Sequence, residues 1–232
     1  MSLPSKCPLC SAGTDKQSVI TQHVYGSNQN RKNAFFRCSK CDVVYQYPGL
    51  SKEEEKQFYA DEFEKFMSNR SMMEVGWHKA EKHFKDNETT YRRRRQYLKP
   101  YLKEKMKILE IGCSSGFMLL PLVELGHECF GVEPSGVFSE FVKTKNIPVY
   151  NSIDELGSID NSNKFDLIMH FFVLEHISNP IHFLRKQLSF LKPGGNIIFE
   201  IPNVADPLYT IYNIPEFEKF YWSIAHPWYF SE

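Results

Sequence analysis

The sequence predicts an α/β protein, a doubly wound and mostly parallel sheet preceded by a small cysteine-bearing module. Three observations carry this prediction. Strand-like apolar runs alternate with helical ones from residue 107 onward, the first of them enters a glycine-bearing turn in "KILEIGCSSGFMLL", and two Cys-x-x-Cys pairs fall within the first 50 residues. With 232 residues the chain can bury a real core, read here as a main domain with a small accessory one.

Lys plus Arg equal Asp plus Glu at 28 each, so net charge gives no long-range attraction to nucleic acid or to an anionic membrane. No apolar run approaches the roughly 18 to 20 residues of a membrane helix, and the polar opening "MSLPSK" lacks the apolar region of a signal peptide. A cytoplasmic protein with no membrane partner is expected.

In chain order, Cys7 and Cys10 come first, in "KCPLCSAG", and Cys38 and Cys41 follow in "FRCSKCDVVY". Each pair closes a tight knuckle whose thiolates can occupy one edge of a tetrahedron, the geometry that suits zinc. Four cysteines leave no open position, so the expected Zn2+ is structural and supplies folding energy that a short segment cannot get from an apolar core. The alternative is two disulfides or four free thiols. Between the pairs, "SVITQHVYG" and "NAFFRCSK" have the β-branched and aromatic content of a strand ribbon, with His23 read as a surface residue. Residues 1–50 are therefore expected to form a zinc ribbon.

Pro48 and Gly49 mark a turn, Ser51 is a candidate N-cap, and the acids after it suit the positive end of a helix. Residues 51–104 are read as a helical linker, long and polar from about Met72 to Leu102. Within it, Arg92 to Arg95 are either a nucleic-acid contact or a solvated helix face. The spacing of Tyr91, Leu98 and Leu102 favours the face.

Residues 105–203 hold the alternation. "KILEI" is a strand containing Glu110; Gly112 and Gly116 bracket the turn, and "FMLLPLVELG" is a helix stopped by Gly126. "ECFGVEPS" is a second strand whose Glu133 suits the paired hydroxyls of a ribose. Helix "SGVFSEFVKTKN", strand "IPVY", strand "FDLIMHFF", helix "NPIHFLRKQLSFLK", turn "PGG" and strand "NIIFEI" follow. A ligand is expected at the carboxyl ends of the strands. The turn reads G-C-S-S-G, without the G-x-G-x-x-G pattern of a nicotinamide dinucleotide site.

Together, "LEIGCSSGFML", "GVEPS", "FDLIMHFFVLEHISNP" and "LKPGGNIIFEIPN" resemble the successive motifs of class I S-adenosylmethionine-dependent methyltransferases, over roughly residues 85–203. With "CPLC", "CSKC" and "YQYP" ahead of them, the chain is most similar to members carrying an N-terminal zinc ribbon, related to sugar C-methyltransferase-like and ubiquinone-biosynthesis-type enzymes. Ser114 stands where many members have glycine. The resemblance implies a Rossmann-like fold and the cofactor S-adenosyl-L-methionine. It also implies roles: Gly112, Cys113 and Gly116 lining the methionine portion, Glu133 on the ribose, Pro134 and Ile153 beside the adenine. Glu110 would orient the turn or the amino group, and His170 and Phe171 would face the methionyl chain and the acceptor. Taken singly, Cys113, Ile153 and Glu133 are equally well read as a small buried residue, a core residue and a strand-end charge.

Methyl transfer from a sulfonium is a displacement at carbon, so positioning supplies much of the acceleration and a general base is needed only for a weakly acidic acceptor. His176 in "VLEHISNP" and His226 in "AHPWYFS" are the catalytic candidates. Alternatively, His176 pins the loop before a helix begun by Pro180, and His226 belongs to an aromatic packing group.

The family fold adds two further strands after "NIIFEI", and residues 204–232 are expected to lack them. That would leave a sheet edge open to self-association. The expected function is methyl transfer to a small-molecule acceptor, such as a sugar or nucleotide sugar. RNA methylation and non-catalytic cofactor binding are the alternatives; against RNA, "HFFVLEH" stands where base N-methyltransferases carry Asn-Pro-Pro-aromatic.

Overall fold

A computed structural model describes residues 3–27, 32–58, 79–159 and 164–231; the part of the expected linker from 59 to 78 lies outside them. The chain divides into two compact units.

The smaller unit comprises Met1–Glu74, Leu174–Ile181 and Ile201–Glu232. Its sheet is antiparallel, with β1 (Gln17–Thr21), β2 (Ala34–Cys38), β3 (Val44–Tyr47) and β9 (Trp228–Tyr229) in that order. Strand alternation sends Phe35 to one face, with Val44, Trp222 and Tyr229. It sends Phe36 to the other, with Cys7, Cys38, Tyr45 and Trp228. The Tyr45 hydroxyl donates to Gln17 Oε1 at 2.9 Å, so a buried phenol is satisfied inside the sheet.

Helix α1 (Lys52–Gln57) starts where Ser51 predicts. The Ser51 hydroxyl accepts from the Glu54 N–H at 3.2 Å and the Glu54 carboxylate accepts from the Ser51 N–H at 2.8 Å, a reciprocal capping box.

In the larger unit, Val75–Val173 and His182–Glu200, the sheet runs β6 (Val149–Tyr150), β5 (Glu128–Val132), β4 (Lys107–Ile111), β7 (Phe165–Phe171), β8 (Leu191–Glu200), and every pairing is parallel. Ile108, Leu167 and Met169 pack on one face with α3 (Glu88–Leu98), α4 (Leu119–Glu124) and α5 (Gly136–Lys143), through Leu98, Leu119, Leu122 and Val142. On the other face His170 meets Phe183 of α7 (Pro180–Phe190), and Phe190 approaches Gly157 of α6 (Ile153–Ile159). Helices thus cover both faces, as a doubly wound sheet requires.

Three local differences from the sequence reading stand out. The helix preceding β4 is two helices, α2 (Ala80–Asp86) and α3, separated at Asn87. Helix α6 follows β6 although no helix was expected there. The "KPGG" turn is absorbed into β8, where the pairing with β7 shifts register between Phe165 and Leu167 and Gly194 takes φ +77°. After β8 come two short helices, α8 (Pro207–Thr210) and α9 (Pro215–Tyr221), and β9, which pairs Val44 with Tyr229 and Tyr45 with Trp228. Among the described residues, β8 pairs with β7 alone.

Candidate functional site

The turn after β4 is shaped by glycines where side chains would not fit. Gly112 and Gly116 both have φ +72°; a Cβ at Gly112 would come within 2.7 Å of Val173 Cγ2, and one at Gly116 within 3.0 Å of Val142. Ser114 also takes a left-handed φ, +47°, in the place where glycine would be the easier residue.

What holds this strained turn is a neighbour from the next strand. Glu133, at the end of β5, accepts the Ser114 N–H at 2.8 Å with Oε2 and the Ser135 N–H at 2.9 Å with Oε1. Burial raises its pKa, the two backbone N–H groups opposing that rise. A carboxylate accepting one bond per oxygen keeps lone pairs for further donors, so Glu133 can still receive paired hydroxyls.

Glu110 lies inside β4 and is buried. Burial pushes its carboxyl well above the ordinary range, Arg94's positive charge opposing that and Glu133's negative charge adding to it. Its Oε2 has no hydrogen-bond partner among the described residues, so a buried acceptor stands beside the turn for a donor to satisfy. Cys113 is buried with its Sγ against Gly131, where a Cβ would stand 2.6 Å away, and burial carries its thiol well above the usual value. Pro134 is exposed beyond β5, and Ile153, half-buried, opens α6.

His170 and Phe171 are the last two residues of β7, and they face opposite ways. Phe171 packs with the cluster that contains Cys113 and Phe117. His170 is stacked on Phe199 at 5.0 Å and packed edge-on to Phe183.

Two features at this turn differ from or add to the sequence reading, the His83–Ser115 contact and the burial of Arg94. His83 of α2 places Nδ1 2.8 Å from the buried Ser115 hydroxyl, its ring packed on Phe117 and Phe138. Arg94 is buried with its guanidinium 4.2 Å from the Phe171 ring centroid. Its Nε donates to Glu200 Oε2 at 2.7 Å, and Arg93 donates to Oε1 of the same carboxylate at 2.7 Å. Arg94 stands three residues after Tyr91 and four before Leu98, on the apolar stripe of α3, and that spacing was the signal available for its burial. No such local signal exists for the His83–Ser115 contact.

In the smaller unit, Cys7, Cys10, Cys38 and Cys41 bring their sulfurs within 4.8 Å of one another. Cys7 and Cys41 are 3.8 Å apart and Cys10 and Cys38 are 3.6 Å apart. A tetrahedral ion with metal–sulfur bonds of about 2.3 Å separates its sulfurs by about 3.8 Å, so this donor set fits one. None of the four is in a disulfide. Burial works against the Cys38 thiolate, yet the backbone N–H groups of Cys41 and Lys40 outweigh it and bring this thiol to about 6. Burial sends Cys41 up to about 12. His23 is exposed.

His176 and His226 meet edge to face with ring centroids 4.6 Å apart. His176 Nδ1 is 2.7 Å from the Ala225 carbonyl, and the Trp228 indole N–H donates to the Ile177 carbonyl at 2.9 Å. His176 thus does pin its loop, and His226 packs with Tyr229 at 5.9 Å.

Residues 82–232 match the family model described as "Methyltransferase domain". A ubiquinone biosynthesis O-methyltransferase of Chelativorans sp. (strain BNC1) is 32% identical over 102 residues, 42% of this chain and 40% of that protein. One from Rhizobium etli (strain CIAT 652) is 27% identical over 99 residues, 40% of each. A crystal structure of a SAM-dependent methyltransferase from Archaeoglobus fulgidus, 29% identical, covers 56% of this chain and 60% of its own with a TM-score of 0.45. The chain spans about two fifths of the length of these curated relatives.

Proposed function

The chain belongs to the methyltransferase-domain family matched over residues 82–232, and on that premise we propose that it binds S-adenosyl-L-methionine at the Gly112–Gly116 turn and methylates a small-molecule acceptor. The observation that carries this reading is the Glu133 carboxylate tied to the Ser114 N–H, which couples the acid at the end of β5 to the conformation of the turn. The bound cofactor supplies an electrophilic methyl group on a sulfonium. Gly112 and Gly116 let backbone approach it, Glu133 takes the ribose hydroxyls, and Pro134 and Ile153 border the adenine. Glu110 receives an ammonium or an N–H donor, which would satisfy its buried oxygen. Cys113 fills the floor of the turn, and Phe171 and His170 belong to the strand beneath the methionyl chain.

The similarity to O-methyltransferases supports an oxygen acceptor, with sugars or nucleotide sugars as the other class. His176 and His226 are the proposed proton acceptors for a hydroxyl of low acidity. Zn2+ is the proposed ion at Cys7, Cys10, Cys38 and Cys41, with a structural role, because a complete thiolate shell leaves no position for substrate. Arg93 and Arg94 are engaged by Glu200, which favours the small-molecule acceptor over RNA. Association of copies through β8 and a cytoplasmic site of action complete the reading.

Calorimetric titration tests it. Wild-type protein is expected to bind S-adenosylmethionine and Glu133→Ala to bind it at least about tenfold more weakly, the loss of roughly 1.4 kcal/mol or more that charge-assisted hydrogen bonds supply. An unchanged affinity in a folded variant would overturn the assignment.

A further inference from the structure

The smaller unit assembles a second donor set beside the cysteines' own. Glu175 and His176 end the 3-10 turn Leu174–His176, and His226 lies just before β9. One carboxylate oxygen and one nitrogen from each ring lie within 4.8 Å of one another. We propose that Glu175, His176 and His226 bind a divalent first-row transition ion, a role that replaces proton acceptance by the two rings while the ion is held, and that makes this chain a carrier of two metal centres with different donor chemistry.

Two imidazoles and one carboxylate form a borderline donor set, which suits Zn2+, Fe2+ or Co2+ better than ions that want oxygen alone. The tautomer is already suitable. A carbonyl oxygen can only accept, so the 2.7 Å contact between His176 Nδ1 and Ala225 O puts the ring proton on Nδ1 and leaves the lone pair on Nε2. Metal-bound histidines are commonly oriented in this way, by a carbonyl on the other ring nitrogen.

Burial points the same way. Glu175 is 0% exposed and His226 6% exposed. Burial of these donors limits the access of water to an ion held there.

The ligand backbones are also held in place. The loop carrying Glu175 and His176 is fastened by the Trp228 indole to Ile177 O, and the segment carrying His226 is closed by its own N–H to Ser223 O at 3.1 Å and by Ala225 N–H to Ser223 Oγ at 3.2 Å. Bonds of about 2.1 Å to one ion place its ligand atoms about 3.4 Å apart, so ion binding draws this donor set closer together. His176 also borders a cavity of about 190 Å³ with Tyr47, Ser178 and Trp228. Three protein ligands beside a cavity leave a position for an exogenous oxygen ligand, unlike the closed cysteine shell.

Cobalt titration of the full chain tests this, after one equivalent of Zn2+ has filled the cysteines. One further equivalent of Co2+ is expected, with the weak d–d absorption of nitrogen and oxygen ligands. His176→Ala and His226→Ala are each expected to weaken it at least about tenfold, with melting temperatures near that of the wild type. Where an alanine variant melts early, Glu175→Gln carries the same expectation. Folded wild-type protein that takes up no second equivalent at millimolar Co2+, uptake that shows only thiolate charge-transfer bands, or folded variants with wild-type affinity would each overturn the proposal. S-adenosylmethionine affinity is measured separately without Co2+, so either reading can fail alone.

Discussion

His170 shows how far a single side chain is decided by its surroundings. Its ring lies between Phe183 and Phe199, 0% exposed, and neither nitrogen has a hydrogen-bond partner among the described residues. Burial alone lowers its pKa to about 4 from an ordinary 6.5. The folded value lies below the unfolded one, so the unfolded chain binds the proton more readily. Stability from a neutral His170 is complete above about pH 6.5 and is lost as pH falls toward 4, by up to about 3 kcal/mol. Denaturant titrations from pH 7 to pH 4 are expected to show this slope in the wild type and a shallower one in His170→Phe, which keeps the stacking. Residue identity alone did not reveal this role, because β alternation and the aromatic neighbours from α7 and β8 set it. Glu133 was legible, since a carboxylate at the end of the second strand has one obvious neighbour, the turn after the first.

At the scale of elements, α3 and β8 are joined by a partly buried ion pair that the arginine run does not announce. Four consecutive arginines read as a solvated face or a nucleic-acid contact, yet helical spacing separates them. Arg92 pairs with Glu88 on the surface, whereas Arg93 and Arg94 converge on Glu200. The side chains of Arg94 and Glu200 are 10% and 25% exposed, so removing one leaves a partly buried charge without its partner. Arg94→Ala is expected to cost about 2 kcal/mol, below the 3–5 of a fully buried pair because Glu200 keeps some water. Arg92→Ala is expected to cost at most about 0.5 kcal/mol. Thermal denaturation of the two variants checks the ordering, and equal losses would contradict the separation. Strands β4, β5 and β7 were legible because continuous apolar runs mark strands buried on both faces. Helix α6 was not, because "IDELGSI" is short and carries a glycine.

For the whole molecule, the chain path matters more than any one motif. The smaller unit is assembled from three separate stretches, and its fourth strand is supplied by Trp228 and Tyr229 near residue 232. Trp228 packs in the same cluster as Cys7 and Cys38. Chelation of the ion proposed at the cysteines is therefore expected to loosen this cluster, seen as loss of near-ultraviolet circular dichroism and a fall of several degrees in melting temperature, restored by Zn2+. No change on verified metal removal would refute a structural role for the ion. By itself, the sequence determined the alternation of strand and helix, the glycine turn with its acid, and the two cysteine knuckles, because each is a local pattern of period, turn or spacing. Only the tertiary structure decided that β9 pairs with β3, that Arg94 is buried, that His83 touches Ser115 and that Glu175 joins His176 and His226. Those contacts join residues that are far apart along the chain or turned inward by packing, and no local periodicity encodes which distant partner a side chain will meet.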